Sequence, residues 1–173
     1  MYRNILILML ILMLNGFLWA QRVNDSTVVK SSVCIKINPL KPFLGVANAG
    51  FEIALSNRFS VSLFGEYLMQ QQLMIGNHTE HPLAVVELSP RIYLKNQSPN
   101  AGFYIGAITG FTLARKNSRQ AQGLIVGLES GYKFFLDKQP RIFIEPKALL
   151  IHHCTGEEPF LPGIEGHIGI TLQ

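Results

Sequence analysis

Four histidines lie in two segments that the sequence predicts to be loops, and imidazole is a common ligand of divalent metals. His78 and His81 are in the first segment, and His152 and His153 are in the second. Together with a carboxylate they could bind a metal ion, but the two segments belong to different connections. Solvated loop histidines without a metal are the alternative. The sequence contains no other feature that predicts a cofactor.

The two cysteines are the other reactive side chains. An oxidising compartment would permit a disulfide between Cys34 and Cys154. Cys34 lies in the first predicted strand and Cys154 follows the seventh, so the last strand would separate them in a closed barrel. The sequence therefore leaves both a bridge and two free thiols open.

The elements that must position these residues are β-strands, because apolar and polar residues alternate with a period of two. Polar or turn-forming segments separate these stretches, and a mainly polar one precedes the first. The pattern predicts eight strands, at 32–38, 43–55, 59–69, 82–94, 102–113, 122–135, 141–151 and 161–172.

The composition excludes several classes of protein. The chain has 173 residues, of which 48% are hydrophobic and only 15% are charged. This balance excludes a disordered protein, and the length suits one domain. The formal net charge is +4, but no cluster of basic residues accompanies it, so a nucleic-acid partner is not predicted.

The polar faces of the strands carry nearly equal numbers of acids and bases, which matters because buried charges must pair. Such faces would fit the inside of a closed barrel whose apolar faces meet lipid. We therefore predict an all-β fold, an eight-stranded antiparallel up-and-down transmembrane β-barrel without an open pore. The predicted interior charges are Lys36, Glu52, Glu66, Glu87, Arg91, Glu129, Lys133, Arg141, Glu145, Lys147 and Glu165.

A soluble exported barrel or sandwich with its apolar face inside is the alternative, because alternation alone does not decide which face is buried. Low total charge, longer alternate connections and rim aromatics favour the membrane. The predicted periplasmic girdle consists of Phe59, Phe103 and Phe134, and the outer one of Phe43, Tyr67 and Phe111.

The N-terminus is typical of a secretory signal peptide. Arg3 precedes ten apolar residues at 5–14, and Ala20 precedes the polar Gln21. We expect cleavage after Ala20, which gives a signal peptide at 1–20, a polar segment at 21–31 and a barrel at 32–173.

Short motifs are spread over nearly the whole mature chain: KINPL at 36–40, GFEIALS at 50–56, FSV at 59–61, GEY at 65–67, ELSPRIY at 87–93, GYKF at 131–134, FIEP at 143–146, LPG at 161–163 and IG at 168–169. In these motifs the chain resembles a family of small outer-membrane β-barrels of unknown function, common in Bacteroidetes-type bacteria. This resemblance implies a fold and a location in the outer membrane, and it supplies no activity.

A second resemblance concerns His152, Cys154 and Glu165, which loosely resemble the His-x-Ser and Gly-x-Glu pattern of outer-membrane lipid A deacylases. It implies that Cys154 is a nucleophile, His152 its base and Glu165 the group that orients the base. Strand parity places His152 and Cys154 outward but Glu165 inward, unless a bulge near Gly163 or Gly166 shifts it.

The sequence favours a non-catalytic structural or surface-interaction role in the cell envelope. The expected partners are outer-membrane lipid, the barrel-insertion machinery and an unidentified partner of the outer loops at 70–81, 114–120 and 152–160. The lipid A-type hydrolase and a soluble periplasmic ligand-binding barrel remain as alternatives.

Overall fold

The computed structural model describes residues 32–68, 84–94, 101–113, 123–136, 142–154 and 160–172. Within these residues the regular structure is β-strand, with one short 3-10 helix. No helix among them is long and apolar enough to cross a membrane. The predicted signal peptide and polar segment, 1–31, lie outside the described residues.

Eight strands form one closed barrel in which each strand pairs antiparallel with its neighbours in the chain, and the last pairs with the first. This confirms the predicted all-β, eight-stranded antiparallel barrel. The strands are β1 (Val33–Ile37), β2 (Val46–Ala54), β3 (Phe59–Leu68), β4 (Ala84–Tyr93), β5 (Gly102–Leu113), β6 (Gly123–Phe135), β7 (Ile142–His153) and β8 (Leu161–Leu172).

The register places most of the large apolar residues on the outer face and most of the polar residues inside, where Phe64, Ile108, Ile125 and Phe143 are also buried. Exposed large hydrophobic side chains occur on all eight strands. No outward position in the described strands carries Asp, Glu, Lys or Arg. By contrast, seven charged side chains are buried inside the barrel: Lys36, Glu52, Arg91, Glu129, Lys133, Glu145 and Lys147.

The predicted start of the second strand, at 43, is wrong. Residues Lys41–Leu44 form a 3-10 helix, and β2 begins at Val46. The physical reason lies in two residues: Pro42 has no N–H for a strand ladder, and Gly45 adopts a left-handed φ of 75°. The Gly45 N–H donates to the Pro42 carbonyl at 3.0 Å, which closes the turn.

The β1–β2 connection is fixed at its base by two asparagines. The Asn38 N–H donates to Asn48 Oδ1 at 2.5 Å, and Asn48 Nδ2 donates to the Asn38 carbonyl at 3.0 Å. Phe43, predicted for the outer aromatic girdle, lies on the 3-10 helix and is 79% exposed. Tyr67, Phe103, Phe111 and Phe134 are exposed on their strands.

Glycines inside the barrel make room for the large polar side chains. A Cβ built on Gly131 would lie 2.6 Å from the Tyr104 hydroxyl and 2.8 Å from the Pro146 carbonyl. A Cβ on Gly106 would lie 3.0 Å from Glu129 Oε1. These positions therefore need glycine for close approach rather than for an unusual backbone angle.

We expect Gly131→Ala to lower the free energy of unfolding by about 1–3 kcal/mol, because the Tyr104 ring must move out of its place. Gly166→Ala is the matched control, because a Cβ there meets nothing within 4 Å. Urea unfolding followed by circular dichroism measures both. Equal midpoints for the two variants would show that the interior tolerates the added methyl group.

Candidate functional site

The most buried charges form a group at mid-barrel, which we call the central cluster: Lys36, Glu52, Arg91, Lys133 and Glu145. Glu52 Oε2 lies 2.9 Å from Arg91 Nη1, 2.9 Å from Lys133 Nζ and 3.2 Å from Lys36 Nζ. Its other oxygen accepts hydrogen bonds from Ser60 Oγ and the Tyr93 hydroxyl, both at 2.8 Å. A side chain with no solvent exposure thus finds partners for both oxygens.

The second carboxylate of the cluster is held mainly through one oxygen, because its Oε2 has no hydrogen-bond partner among the described residues. Glu145 Oε1 lies 2.9 Å from Arg91 Nη1 and 3.2 Å from Lys36 Nζ, and it accepts a hydrogen bond from the Tyr104 hydroxyl at 3.0 Å. Arg91 therefore bridges two carboxylates, and its guanidinium lies 4.4 Å from the Tyr104 ring centre. Fixed multiple contacts of this kind suit a guanidinium better than an ammonium.

Lys133 has a different environment. Its ammonium lies 2.9 Å from Glu52 Oε2 and 3.8 Å from Glu145 Oε2, but it has no hydrogen-bond partner within the described part of the chain. The Phe143 ring centre is 4.7 Å away and the Tyr93 ring centre 5.6 Å. The aromatic faces therefore complete its surroundings by cation–π contacts.

The central cluster connects the whole barrel. Its five members come from β1, β2, β4, β6 and β7. Three further contacts, from Ser60, Tyr104 and His167, bring in β3, β5 and β8. Every strand thus contributes a side chain to one network.

A second group, the mouth cluster, lies toward the end of the barrel that carries the β1–β2 connection. It consists of Lys41, Glu66, Lys147 and Glu165. Lys147 Nζ lies 3.0 Å from Glu165 Oε2, and Lys41 Nζ donates to Glu165 Oε1 at 2.6 Å. Lys41 also donates a short hydrogen bond to Glu66.

Glu129 links the two clusters. It accepts a hydrogen bond from Arg91 Nε at 2.6 Å, lies 3.3 Å from Lys147 Nζ and accepts a short hydrogen bond from Ser89. With Glu129, the central cluster has three carboxylates for its three cations. The central group is therefore formally neutral. The mouth cluster has two carboxylates for two cations, and Glu87 adds a third carboxyl group beside it.

The gap between the clusters is narrow. Ser62, Phe64, Glu87 and His167 are among its lining residues, and it leaves no room for a water molecule. The His167 ring packs against Phe64 with centres 4.7 Å apart, and its Nδ1 lies 3.5 Å from Glu145 Oε1. Glu87 makes no ion pair within 4 Å among the described residues. Arg141, also predicted for the interior, lies outside them.

The structure does not bring the three hydrolase candidates together. His152 packs against the Phe160 ring, with centres 5.0 Å apart, while Glu165 is held inside the barrel by Lys41 and Lys147. The β7–β8 register runs through Gly163 and Gly166 without a bulge that would turn Glu165 outward. Burial raises the pKa of the Cys154 thiol, which opposes formation of the nucleophilic thiolate.

The remaining candidates from the sequence are the metal ligands and the cysteines. No group of three or more His, Cys, Asp or Glu side chains suited to a metal ion occurs in the described part of the chain. His78 and His81 lie outside that part, whereas His152 and His153 end β7. Cys34 and Cys154 are both free thiols, and Cys34 Sγ lies 3.4 Å from Thr171 Oγ1.

Residues 6–145 match the model of a family described as a protein of unknown function, DUF3575. The chain belongs to this family. The sequence-based prediction of a family without known function is thereby confirmed. The matched DUF3575 segment includes all five residues of the central cluster, whereas Lys147, Glu165 and the whole of β8 lie beyond it. No curated protein and no solved structure matches the chain.

Sequence reasoning missed two members of this DUF3575 interior, Tyr104 and Lys41, whereas the alternation does place His167 on the polar face of its strand. Tyr104 also points inward by strand parity, so the alternation already contained the signal that could have found it. Lys41 lies in a connection rather than in a strand, where parity predicts nothing. Its place in the mouth cluster depends on the fold of the 3-10 helix.

Balance of charge in the central cluster can be tested by a double-mutant cycle. We expect Lys133→Met to lower the free energy of unfolding by roughly 3 kcal/mol, because it leaves two buried carboxylates short of one cation. Adding Glu52→Gln restores the balance, so the double variant should lose less than the two single losses combined. Urea unfolding measures all three variants. Strictly additive losses would contradict the charge-balance account.

Proposed function

We propose that the chain is a small outer-membrane β-barrel that has a structural or surface-interaction role and no open pore. The observation that carries the proposal is the distribution of charge: outward positions of the described strands lack charged side chains, while the interior contains them. In water such an outer face would expose apolar side chains around the whole barrel. In lipid it is the favourable arrangement, and closure satisfies the backbone groups of every strand.

The interior supports a role without conduction. The central cluster is fully buried and cross-linked, and the gap above it is too narrow for water. Eight strands leave an interior that side chains fill. We therefore infer that any interaction with other molecules involves the outer surface and the connections at 70–81, 114–120 and 152–160. Of the last, residues 155–159 lie outside the described part, as do the first two connections.

Export through a cleaved signal peptide, insertion by the barrel-insertion machinery and contact with outer-membrane lipid belong to the same proposal. The two alternatives have less support. A soluble ligand-binding barrel needs an apolar interior, whereas the described interior holds buried ion pairs. The hydrolase needs Glu165 beside His152, and Glu165 is bound to two lysines instead.

The proposal is tested by placing a charge on the outer face. Leu128 lies near the middle of β6 and is 61% exposed, whereas Leu136, just past the end of β6, is 62% exposed. In a membrane we expect Leu128→Lys to cost about 2–4 kcal/mol of folding free energy and Leu136→Lys about 0–1 kcal/mol. Urea titration of the protein refolded into lipid vesicles measures both.

A water-soluble barrel gives a different result. Both leucines would then be equally exposed to water, and each substitution would change stability by less than about 0.5 kcal/mol. Near-equal, near-zero effects would therefore contradict the outer-membrane proposal. A loss confined to Leu128→Lys would support it.

A further inference from the structure

One side chain of the β1–β2 connection, that of Lys41, reaches into the barrel mouth. Lys41 directs its ammonium between Glu66 of β3 and Glu165 of β8. Burial acts to lower the pKa of Lys41, but the Glu165 and Glu66 carboxylates outweigh it and leave the pKa raised. The side chain therefore stays charged and joins two strands that are not neighbours in the sheet.

Apolar contacts contribute little to holding this connection. No residue of the 3-10 helix is buried, and Leu40, Phe43 and Leu44 are all exposed. The asparagine pair at Asn38 and Asn48 fixes the base of the connection rather than its tip. The described contacts of the tip with the barrel interior are thus the two ion pairs of Lys41.

These two ion pairs are also the most accessible part of the charge network. The Lys41 side chain is 20% exposed and its two carboxylate partners 16%, whereas the central-cluster side chains are at most 1% exposed. Ion pairs that reach solvent are weakened by salt, while deeply buried pairs are screened much less. We therefore expect the two ion pairs of Lys41 to break before those of the central cluster.

We propose that residues 38–45 form a lid that closes the barrel mouth, and that the Lys41 ammonium is its latch. Release of Lys41 leaves Glu66 without its ion-pair partner, while Glu165 keeps Lys147 at 3.0 Å. Three carboxylates, Glu66, Glu87 and Glu165, then face one ammonium. The open mouth becomes a vestibule that admits water and small cations.

The central cluster sets the depth of this vestibule. Its ion pairs do not involve Lys41, so they remain when the lid opens. We therefore expect opening to let water reach the gap lined by Ser62 and Glu87 from the mouth, while the intact central cluster leaves no path through the barrel. The proposal goes beyond the proposed function and requires only the closed barrel, so it stands or falls separately from the membrane location.

Movement of the lid is measured with a nitroxide at Phe43→Cys, in a protein whose Cys34 and Cys154 are replaced by Ala. We expect Lys41→Met to make the label markedly more mobile in the electron paramagnetic resonance spectrum, and Lys41→Arg to leave it restricted. Salt at 1 M should mobilise the label with Lys41 present but change little in the Lys41→Met protein. Equal mobility in all three proteins would overturn the latch.

Opening of the vestibule is measured with Ag⁺, a small cation that reacts with thiols. Ser62→Cys, without the native cysteines, places a near-isosteric thiol in the gap. We expect Lys41→Met to speed its reaction about tenfold, which corresponds to about 1.4 kcal/mol of lid closure. The matched control is a protein in which the native Cys34 is the sole thiol. Cys34 precedes Lys36 on β1, on the side away from the β1–β2 connection. Its rate of reaction with Ag⁺ should not change.

Two results would overturn the vestibule. An unchanged rate at Ser62→Cys with a mobile lid would mean that the lid moves without opening the gap. An equal increase at Cys34 would mean that the whole barrel loosens instead of its mouth.

Discussion

Charge pairing inside a closed barrel is the constraint on which the rest of this structure depends. A barrel interior takes its charges away from water, and each unpaired charge there costs several kcal/mol. The chain meets this constraint with the central cluster, where three cations face Glu52, Glu145 and the linking Glu129. Because every strand contributes a contact, the pairing also fixes how the strands close. The apolar outer face is the complement of this interior.

The charge network changes character along the barrel axis. In the central cluster the ion pairs are fully buried, Arg91 binds both Glu52 and Glu145, and each of these carboxylates also accepts a hydrogen bond from a tyrosine hydroxyl. At the mouth a single lysine from a connection completes the pairing, and its partners reach solvent. A rigid centre and a more accessible mouth follow from the same chemistry at two levels of burial.

Much of the fold could be predicted from the sequence, because a period of two assigns residues to faces without knowledge of the partner strands. For that reason the alternation predicts Lys36, Glu52 and Arg91 on the polar faces of their strands. The alternation could not say which carboxylate each cation binds, since that depends on register and barrel closure. It also failed at 43–45, where Pro42 and Gly45 turn the chain into a 3-10 helix and bring Lys41 to the mouth.

The measurement that tests the central claim most directly is the gel mobility in SDS of the protein from fractionated cells, unheated against boiled. A closed barrel with a cross-linked interior should keep its backbone ladder in SDS until heated. The account therefore predicts two different mobilities and recovery in the outer membrane. A single mobility together with a soluble periplasmic pool would contradict it.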